Sequence, residues 1–176
     1  MQKNAKKYDV LIIGAGPAGA NAAISYKNLN PDLTIGLVDK SIFPRDKSCG
    51  DAIGPGVISA LKRFNNEHIL EDEPQVVSTT LYGPDNIGIQ NYIPKVKNKE
   101  DSIVYVIPRI DLDNRILNLA KESGVDVYEG YSFVDFISNE DKSLNVKIKN
   151  NNEELEFSTK ILVGADGANS RIRKKL

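Results

Sequence analysis

In DVLIIGAGPAGANAA, residues 9–23, closely spaced glycines follow directly after an apolar run. Residues 8–13 have the unbroken apolar character of a strand that is buried on both faces. Pro17 suits the first turn of a helix, and Ala20, Ala23 and Ile24 then repeat on one helix face. Residues 33–38 are typical of a second strand. The sequence therefore predicts a βαβ unit of about thirty residues.

The three glycines have the spacing Gly-x-Gly-x-x-Gly and lie between the first strand and the helix. Gly14 permits a tight turn, Gly16 lets backbone approach a pyrophosphate, and Gly19 lets the helix pack closely on the strand. The N terminus of the helix offers free N–H groups and a positive dipole end to phosphates. Asp39, at the end of the second strand, can accept hydrogen bonds from ribose hydroxyls. We therefore predict dinucleotide binding rather than a merely structural turn, although this motif alone does not separate FAD from NAD.

The composition argues against several other classes of protein. The 176 residues include 23 basic and 24 acidic side chains, so no global charge attracts nucleic acid. A single cysteine, Cys49, and a single histidine, His68, argue against a disulfide framework and a Cys/His metal site. No segment approaches the roughly 20 apolar residues that span a bilayer. We expect a cytoplasmic protein, which could still touch a membrane surface.

Beyond the βαβ unit, the period of the apolar residues changes twice. Residues 76–107 alternate like strands separated by Gly, Pro, Asn and Asp turns, which predicts an inserted antiparallel segment. Helical spacing returns after Arg109 and ends near Gly124. Several strands are then expected, of which 161–163 is predicted to be fully buried. The fold class is therefore α/β, with a parallel sheet and an antiparallel insert.

Four further stretches carry a resemblance to a known family: GLVDKS, FPRDKSCGDAIGP, PRIDLDNRILNLA and LVGADGANSRIRKKL. Together with residues 9–23, they resemble the p-hydroxybenzoate hydroxylase-like flavoprotein superfamily. The PRDKSCGD stretch is similar to its geranylgeranyl reductase branch, whose enzymes reduce isoprenoid double bonds with a flavin. The resemblance implies a Rossmann-like FAD-binding domain, FAD as the cofactor, NAD(P)H as the electron donor and an isoprenoid or other apolar small molecule as substrate.

The resemblance assigns the adenosine and diphosphate part of FAD to the first half of the chain and one later strand. The pyrophosphate would be held by the glycine loop, through Gly14, Gly16, Pro17, Ala18 and Gly19. Asp39 would bind the adenosine ribose, with Lys40 against the adenine side. Val134, in GYSFVDF, matches a strand position whose backbone contacts adenine.

The flavin side is assigned to one loop and two later motifs. The loop that approaches the flavin in similar proteins contains Arg45, Lys47, Cys49 and Gly50. Arg109 matches the arginine of the family's R-x-x-x-D-x-x-L-like segment, near the pyrophosphate or the ribityl chain. Asp166 and Gly167 match an Asp-Gly motif that reaches the ribityl and pyrophosphate region. No catalytic residue is assigned.

Simpler interpretations of these residues stay open. Arg109 could pair with Asp111 or Asp113 at a helix start, and a lone Cys49 could be an inert small side chain. If Arg45 and Lys47 lie close to Cys49, they would lower the pKa of its thiol. Asp166 could cap a following helix, with Asn169 or Ser170 as competing caps.

Proteins of this superfamily continue well beyond the Asp-Gly motif, with further sheet for the substrate domain. We therefore interpret the 176 residues as an N-terminal FAD-binding domain that is truncated at its C terminus, with residues 76–107 at the start of a substrate domain. Three functions remain open: a geranylgeranyl-reductase-like enzyme, an aromatic-type monooxygenase, and an inactive dinucleotide-binding fragment. The oligomeric state is not predicted.

Overall fold

The computed structural model describes residues 5–92 and 104–176. The chain divides into two compact units, the first formed by the residues up to Asp46 together with Asp113–Leu176, and the second by Lys47–Leu112. In chain order the elements are β1 (Lys6–Ile13), α1 (Pro17–Leu29), β2 (Ile35–Asp39), β3 (Ala52–Ile53), α2 (Pro55–Lys62), a 3-10 helix (Glu67–Leu70), β4 (Ser78–Tyr82), β5 (Gly88–Tyr92), β6 (Tyr105–Val106), α3 (Arg109–Glu122), β7 (Asp126–Glu129), β8 (Ser132–Ser138), β9 (Leu144–Lys149) and β10 (Glu154–Gly164).

The first unit is built on a six-stranded mixed sheet with the order β7-β2-β1-β10-β9-β8. The strands β7, β2, β1 and β10 are parallel, whereas β9 and β8 continue the sheet antiparallel. The central strand β1 has an almost unbroken run of buried side chains, as a strand covered on both faces requires. The predicted βαβ unit and the α/β fold class are confirmed.

The main core of the first unit lies on one face of this sheet. Its buried members come from β1, β2, β8, β9, β10 and the C-terminal turns: Tyr8, Leu11, Ile13, Val38, Phe133, Val146, Ile148, Phe157 and Ile172. Burial of one such side chain contributes about 1.5–3 kcal/mol. The small side chains of α1, such as Ala20 and Ala23, are buried as well.

The second unit contains two small antiparallel pairs, β4 with β5 and β3 with β6. The antiparallel pairing of β4 and β5 agrees with the strands predicted in 76–92, and α3 agrees with the helix predicted between Arg109 and Gly124. The third predicted strand, within 102–108, pairs with β3 instead of extending the β4–β5 pair. Residues 93–103 of the predicted insert lie outside the described residues. The substrate-domain interpretation of 76–107 stays a prediction.

The prediction of a fully buried strand at 161–163 is wrong. These residues are the end of the longer strand β10, and Ile161 is 48% exposed. Side chains alternate between the two faces of a strand, so Leu162 packs against the core cluster while Ile161 lies on the other face. The apolar run alone did not distinguish the two faces.

Candidate dinucleotide-binding site

Three loops meet at the carboxyl ends of the parallel strands β2, β1 and β10. Strand β1 lies between the other two, so the chain leaves β1 towards β2 on one side and returns in β10 on the other. This is a topological switch point, and open α/β sheets bind ligands in the crevice at such a point. The first loop follows β1, the second follows β2, and the third is the Asp-Gly motif after β10.

Gly14, in the first loop, and Gly19, in the first turn of α1, are packed so closely that neither can be replaced without movement. Gly14 has a φ of +103°, and a side-chain carbon added there would lie 2.3 Å from the carbonyl oxygen of Ala165. A carbon added at Gly19 would lie 1.8 Å from the carbonyl oxygen of Gly14. These contacts are those of a tight turn and of close helix-to-strand packing.

Gly16 is the N-cap of α1 and has extended backbone, with no side-chain cap and Pro17 next to it. The N–H groups of a first helical turn have no partner within the helix, so they can bind an anion. The first turn of α1 contains no acidic residue that would compete for this position.

Asp39 fixes the first loop to the end of β2. Its side chain is buried, and its Oδ2 accepts a 2.7 Å hydrogen bond from the Ala15 N–H. Its Oδ1 accepts a 2.8 Å bond from the Ser41 N–H. An ionised carboxylate has about four acceptor positions, so a ribose hydroxyl can still be bound. The sequence did not predict the loop-holding contact with Ala15.

Asp166 turns the third loop towards the other two. Its Oδ2 accepts a 2.7 Å hydrogen bond from the Arg171 N–H, so the capping interpretation of Asp166 describes one half of its carboxylate. Burial opposes ionisation of this group, but hydrogen bonds from the Ser170 hydroxyl and the Arg171 N–H hold its pKa below the ordinary value. Its Oδ1 is buried and, within 5–92 and 104–176, has no hydrogen-bond partner. A buried acceptor without a partner is costly and indicates a ligand or water at this position.

Arg45 lies beside the glycine loop. A side-chain carbon added at Gly16 would be 3.4 Å from Arg45 Nη2, and the guanidinium carbon is 4.8 Å from the centre of the Phe43 ring. Arg45 Nη1 forms a 3.3 Å ion pair with Asp113 Oδ2 on α3. Asp113 is 1% exposed and was not predicted as a site residue. Asp113 is the acidic residue of the R-x-x-x-D-x-x-L-like segment that begins at Arg109, and it lies on the buried face of α3 beside Leu112 and Leu117. That motif and that face are the sequence signals that could have found it.

Two further predicted residues lie in the first unit. Lys40 is exposed and follows Asp39 directly. Val134 is half-buried in β8, at a register irregularity between Phe133 and Asp135. The segment before β8 reaches the end of β2, because the Tyr131 N–H donates a 2.9 Å hydrogen bond to the Asp39 carbonyl oxygen.

The remaining predicted residues belong to the second unit. Lys47, Cys49 and Gly50 are exposed there, and Arg109 is the first residue of α3. Hydrogen bonds from the Asp51 N–H and from Arg109 lower the pKa of the Cys49 thiol. The sequence had pointed to Arg45 and Lys47 as the source of such an effect, so the cation that acts on the thiol is a different one.

The first unit therefore brings Gly14, Gly16, Gly19, Asp39 and Asp166 together around one crevice, with Arg45 at its edge. The tight glycine backbone, the open helix N terminus and the Asp166 Oδ1, which has no hydrogen-bond partner among the described residues, fit the diphosphate and ribose of a dinucleotide. The fold and this loop define an α/β dinucleotide-binding domain.

The chain belongs to the FAD binding domain family, which matches residues 7–176. The menaquinone reductase of Mycolicibacterium smegmatis is 28% identical over 168 residues, which cover 96% of this chain and 39% of that reductase. The digeranylgeranylglycerophospholipid reductase of Picrophilus torridus is 27% identical over 165 residues, which cover 93% of this chain and 40% of that reductase. The FAD-binding domain predicted from the sequence is thereby confirmed.

The fold is shared with a geranylgeranyl bacteriochlorophyll reductase-like protein from Thermoplasma acidophilum. Its crystal structure matches with a TM-score of 0.74 and 26% identity, over 93% of this chain and 40% of that one. The chain thus spans about two fifths of the length of these relatives. Among the described residues, no helix is both long enough and apolar enough to cross a membrane.

Proposed function

We propose that this chain forms the FAD-holding part of an oxidoreductase that uses NAD(P)H to reduce double bonds of an isoprenoid substrate. The names of two relatives, a digeranylgeranylglycerophospholipid reductase and a geranylgeranyl bacteriochlorophyll reductase-like protein, support the isoprenoid class. The menaquinone reductase supports a reductive reaction. A substrate of this kind is apolar, so peripheral contact with a membrane is part of the proposal.

The observation that carries the proposal is the meeting of three loops at the switch point, where one buried carboxylate oxygen has no partner in the described part of the chain. In this proposal the diphosphate is held by the loop backbone at Gly14, Gly16, Pro17, Ala18 and Gly19. Asp39 binds the ribose of adenosine, Lys40 and the backbone at Val134 lie near adenine, and Asp166 with Gly167 binds the ribityl side.

The remaining assignments concern the flavin side and the second unit. Arg45 presents a planar guanidinium, which suits a phosphate, and Arg109 has the same chemistry. Lys47, Cys49 and Gly50 would line the approach to the flavin ring. FAD, when bound, supplies the two-electron chemistry that links a nicotinamide donor to an alkene, while the protein supplies orientation and electrostatics. No proton donor is assigned.

The first test is a titration of the purified chain with FAD, followed by the absorption and fluorescence of the flavin. We expect saturable binding that is at least tenfold weaker in Asp39→Ala, because a charged acceptor for ribose is lost. Asp32→Ala, which removes an exposed carboxylate before β2, is the matched control and should bind as the wild type does. Lack of FAD binding by a folded wild-type chain would refute the proposed function.

The second test separates reduction from oxygenation. The FAD-loaded protein is given NADH or NADPH and a geranylgeranyl lipid, with and without oxygen, and the products are analysed by mass spectrometry. A product heavier by two hydrogens, formed without oxygen, supports the reductase. A product that gains an oxygen atom from an aromatic substrate supports a monooxygenase instead. FAD binding without any oxidation of NAD(P)H would leave only the dinucleotide-binding role.

A further inference from the structure

We propose that Asp113 is a positioning residue for the cofactor site, and that its buried carboxylate holds the Arg45 guanidinium in place to bind the dinucleotide diphosphate. The proposal rests on the proposed function and adds to it a residue that does not itself touch the cofactor. Asp113 lies on α3, far in sequence from the glycine loop, and belongs to the same unit as that loop.

The geometry leaves Arg45 little freedom. One face of its guanidinium lies 4.8 Å from the centre of the Phe43 ring, and Nη1 is 3.3 Å from Asp113 Oδ2. The Asp113 side chain has no exposed surface, whereas that of Arg45 is 20% exposed. The ion pair therefore anchors a partly exposed cation to a fully buried anion. Screening by solvent is weak at such a pair, so its geometry is strongly held.

Apart from Asp113 and the Phe43 ring, the surroundings of Arg45 disfavour a cation. Arg45 Nη2 lies next to Gly16, the N-cap of α1, where the helix dipole is positive. A guanidinium at this end of a helix is unfavourable unless an anion lies between the two. A diphosphate is such an anion, and a planar guanidinium can bind two of its oxygens at once.

Asp113 has two consequences for such a site. It compensates the charge of Arg45 while no anion is bound, and it fixes the direction of the guanidinium, so that less conformational entropy is lost on binding. Without Asp113, Arg45 would keep its charge but could turn away from Gly16 into solvent. Affinity for FAD would then fall although every residue that contacts the cofactor is still present.

The test is a double-mutant cycle measured by FAD titration. The proteins are the wild type, Arg45→Gln, Asp113→Asn and the double variant, with Glu122→Gln as a control that removes an exposed negative charge from the same helix. We expect Arg45→Gln to raise the Kd for FAD about tenfold or more, and Asp113→Asn to raise it several-fold. The double variant should bind no more weakly than Arg45→Gln alone, because in this proposal the effect of Asp113 on FAD binding passes through Arg45.

A second readout separates positioning from folding. Urea unfolding of each apo protein reports whether a variant has lost stability. If Asp113→Asn alone unfolds, the double variant is still informative, because it removes the charges of Arg45 and Asp113 together. An unchanged Kd in Asp113→Asn, or an equal further loss of affinity in the Arg45→Gln background, would overturn the positioning role while leaving the proposed function intact. Failure of the wild type to bind FAD would overturn both.

Discussion

At the residue scale, Gly19, in the first turn of α1, is the position where an added side chain has the least space. We predict that Gly19→Ala lowers the free energy of unfolding by about 1–3 kcal/mol, because the added carbon overlaps the carbonyl oxygen of Gly14. The matched control is Gly56→Ala, also in the first turn of a helix, where an added carbon meets nothing within 4 Å. That control should be neutral or slightly stabilising, since alanine favours helix. Urea unfolding measures both, and equal effects would contradict the packing argument.

Asp39 gives a second prediction at this scale, which concerns the apo protein. Asp39→Ala leaves the buried N–H of Ala15 without an acceptor, so we expect a loss of about 1–3 kcal/mol in the free energy of unfolding. Asp39→Asn keeps one acceptor oxygen and should lose less. Urea unfolding without FAD measures the difference. If both variants are as stable as the wild type, Asp39 serves the ligand alone and does not hold the loop.

At the scale of the elements, Asp9 joins three strands or their ends. Its carboxylate accepts hydrogen bonds from the N–H and the hydroxyl of Thr34, before β2, and pairs with Lys160 on β10 at 3.0 Å. Hydrogen bonds from the Thr34 N–H and from the Lys160 ammonium lower the pKa of Asp9 from 3.8 to about 2. Because the folded-state pKa is the lower one, this stabilisation is complete above about pH 4 and is lost as the pH falls towards 2.

The prediction concerns Asp9→Asn. At pH 6 we expect this variant to be less stable than the wild type by about 1 kcal/mol, a figure reduced for solvent screening of a surface pair. The difference should shrink as the pH falls from 4 towards 2, because the wild-type carboxylate then takes up its proton. Urea unfolding at several pH values measures it. A difference that is constant with pH would mean that the lost contact is not ionic.

Among the strands and helices, some were predictable from the sequence and others were not. The βαβ unit was predictable because β1 and β2 are short apolar runs with glycine and proline at the ends of the helix between them. The position of β10 between β1 and β9 was not, since strand order depends on pairing across the whole chain. Local alternation likewise could not reveal that 161–163 belongs to a strand that begins at Glu154.

In the candidate site, too, residues in local motifs were predictable, whereas contacts between distant residues were not. Gly14, Gly16, Gly19 and Asp39 were predictable because their spacing is local and each has a physical role at the end of a strand. The pairing of Arg45 with Asp113 joins side chains from distant parts of the sequence. The acid of the R-x-x-x-D-x-x-L-like segment, on the buried face of α3, was a local sign of Asp113, but it did not identify Arg45 as the partner.

At the scale of the whole molecule, the core cluster belongs entirely to the first unit. We therefore predict that this unit folds without residues 47–107 if they are replaced by a linker of about eight Gly and Ser residues. Such a linker reaches about 25 Å, and Arg45 and Asp113, which flank it, are in contact within the unit. Cooperative urea unfolding and the near-ultraviolet dichroism of the packed tyrosines Tyr8, Tyr128 and Tyr131 are the measurements. Loss of the tyrosine signal would show that the second unit is needed for the core.

The pairing of β1 with β10 affects how the chain folds while it is being synthesised. Strand β1 pairs with β10 from Lys6 to Ile13, and the paired residues are about 150 positions apart along the chain. During synthesis, one edge of the apolar strand β1 therefore stays unpaired until β10 has left the ribosome. An open apolar strand edge invites pairing with other chains, so chaperone protection of the nascent chain is expected to matter here. Because Ala165 closes the glycine loop against Gly14, the cofactor can be taken up only after translation has passed this point.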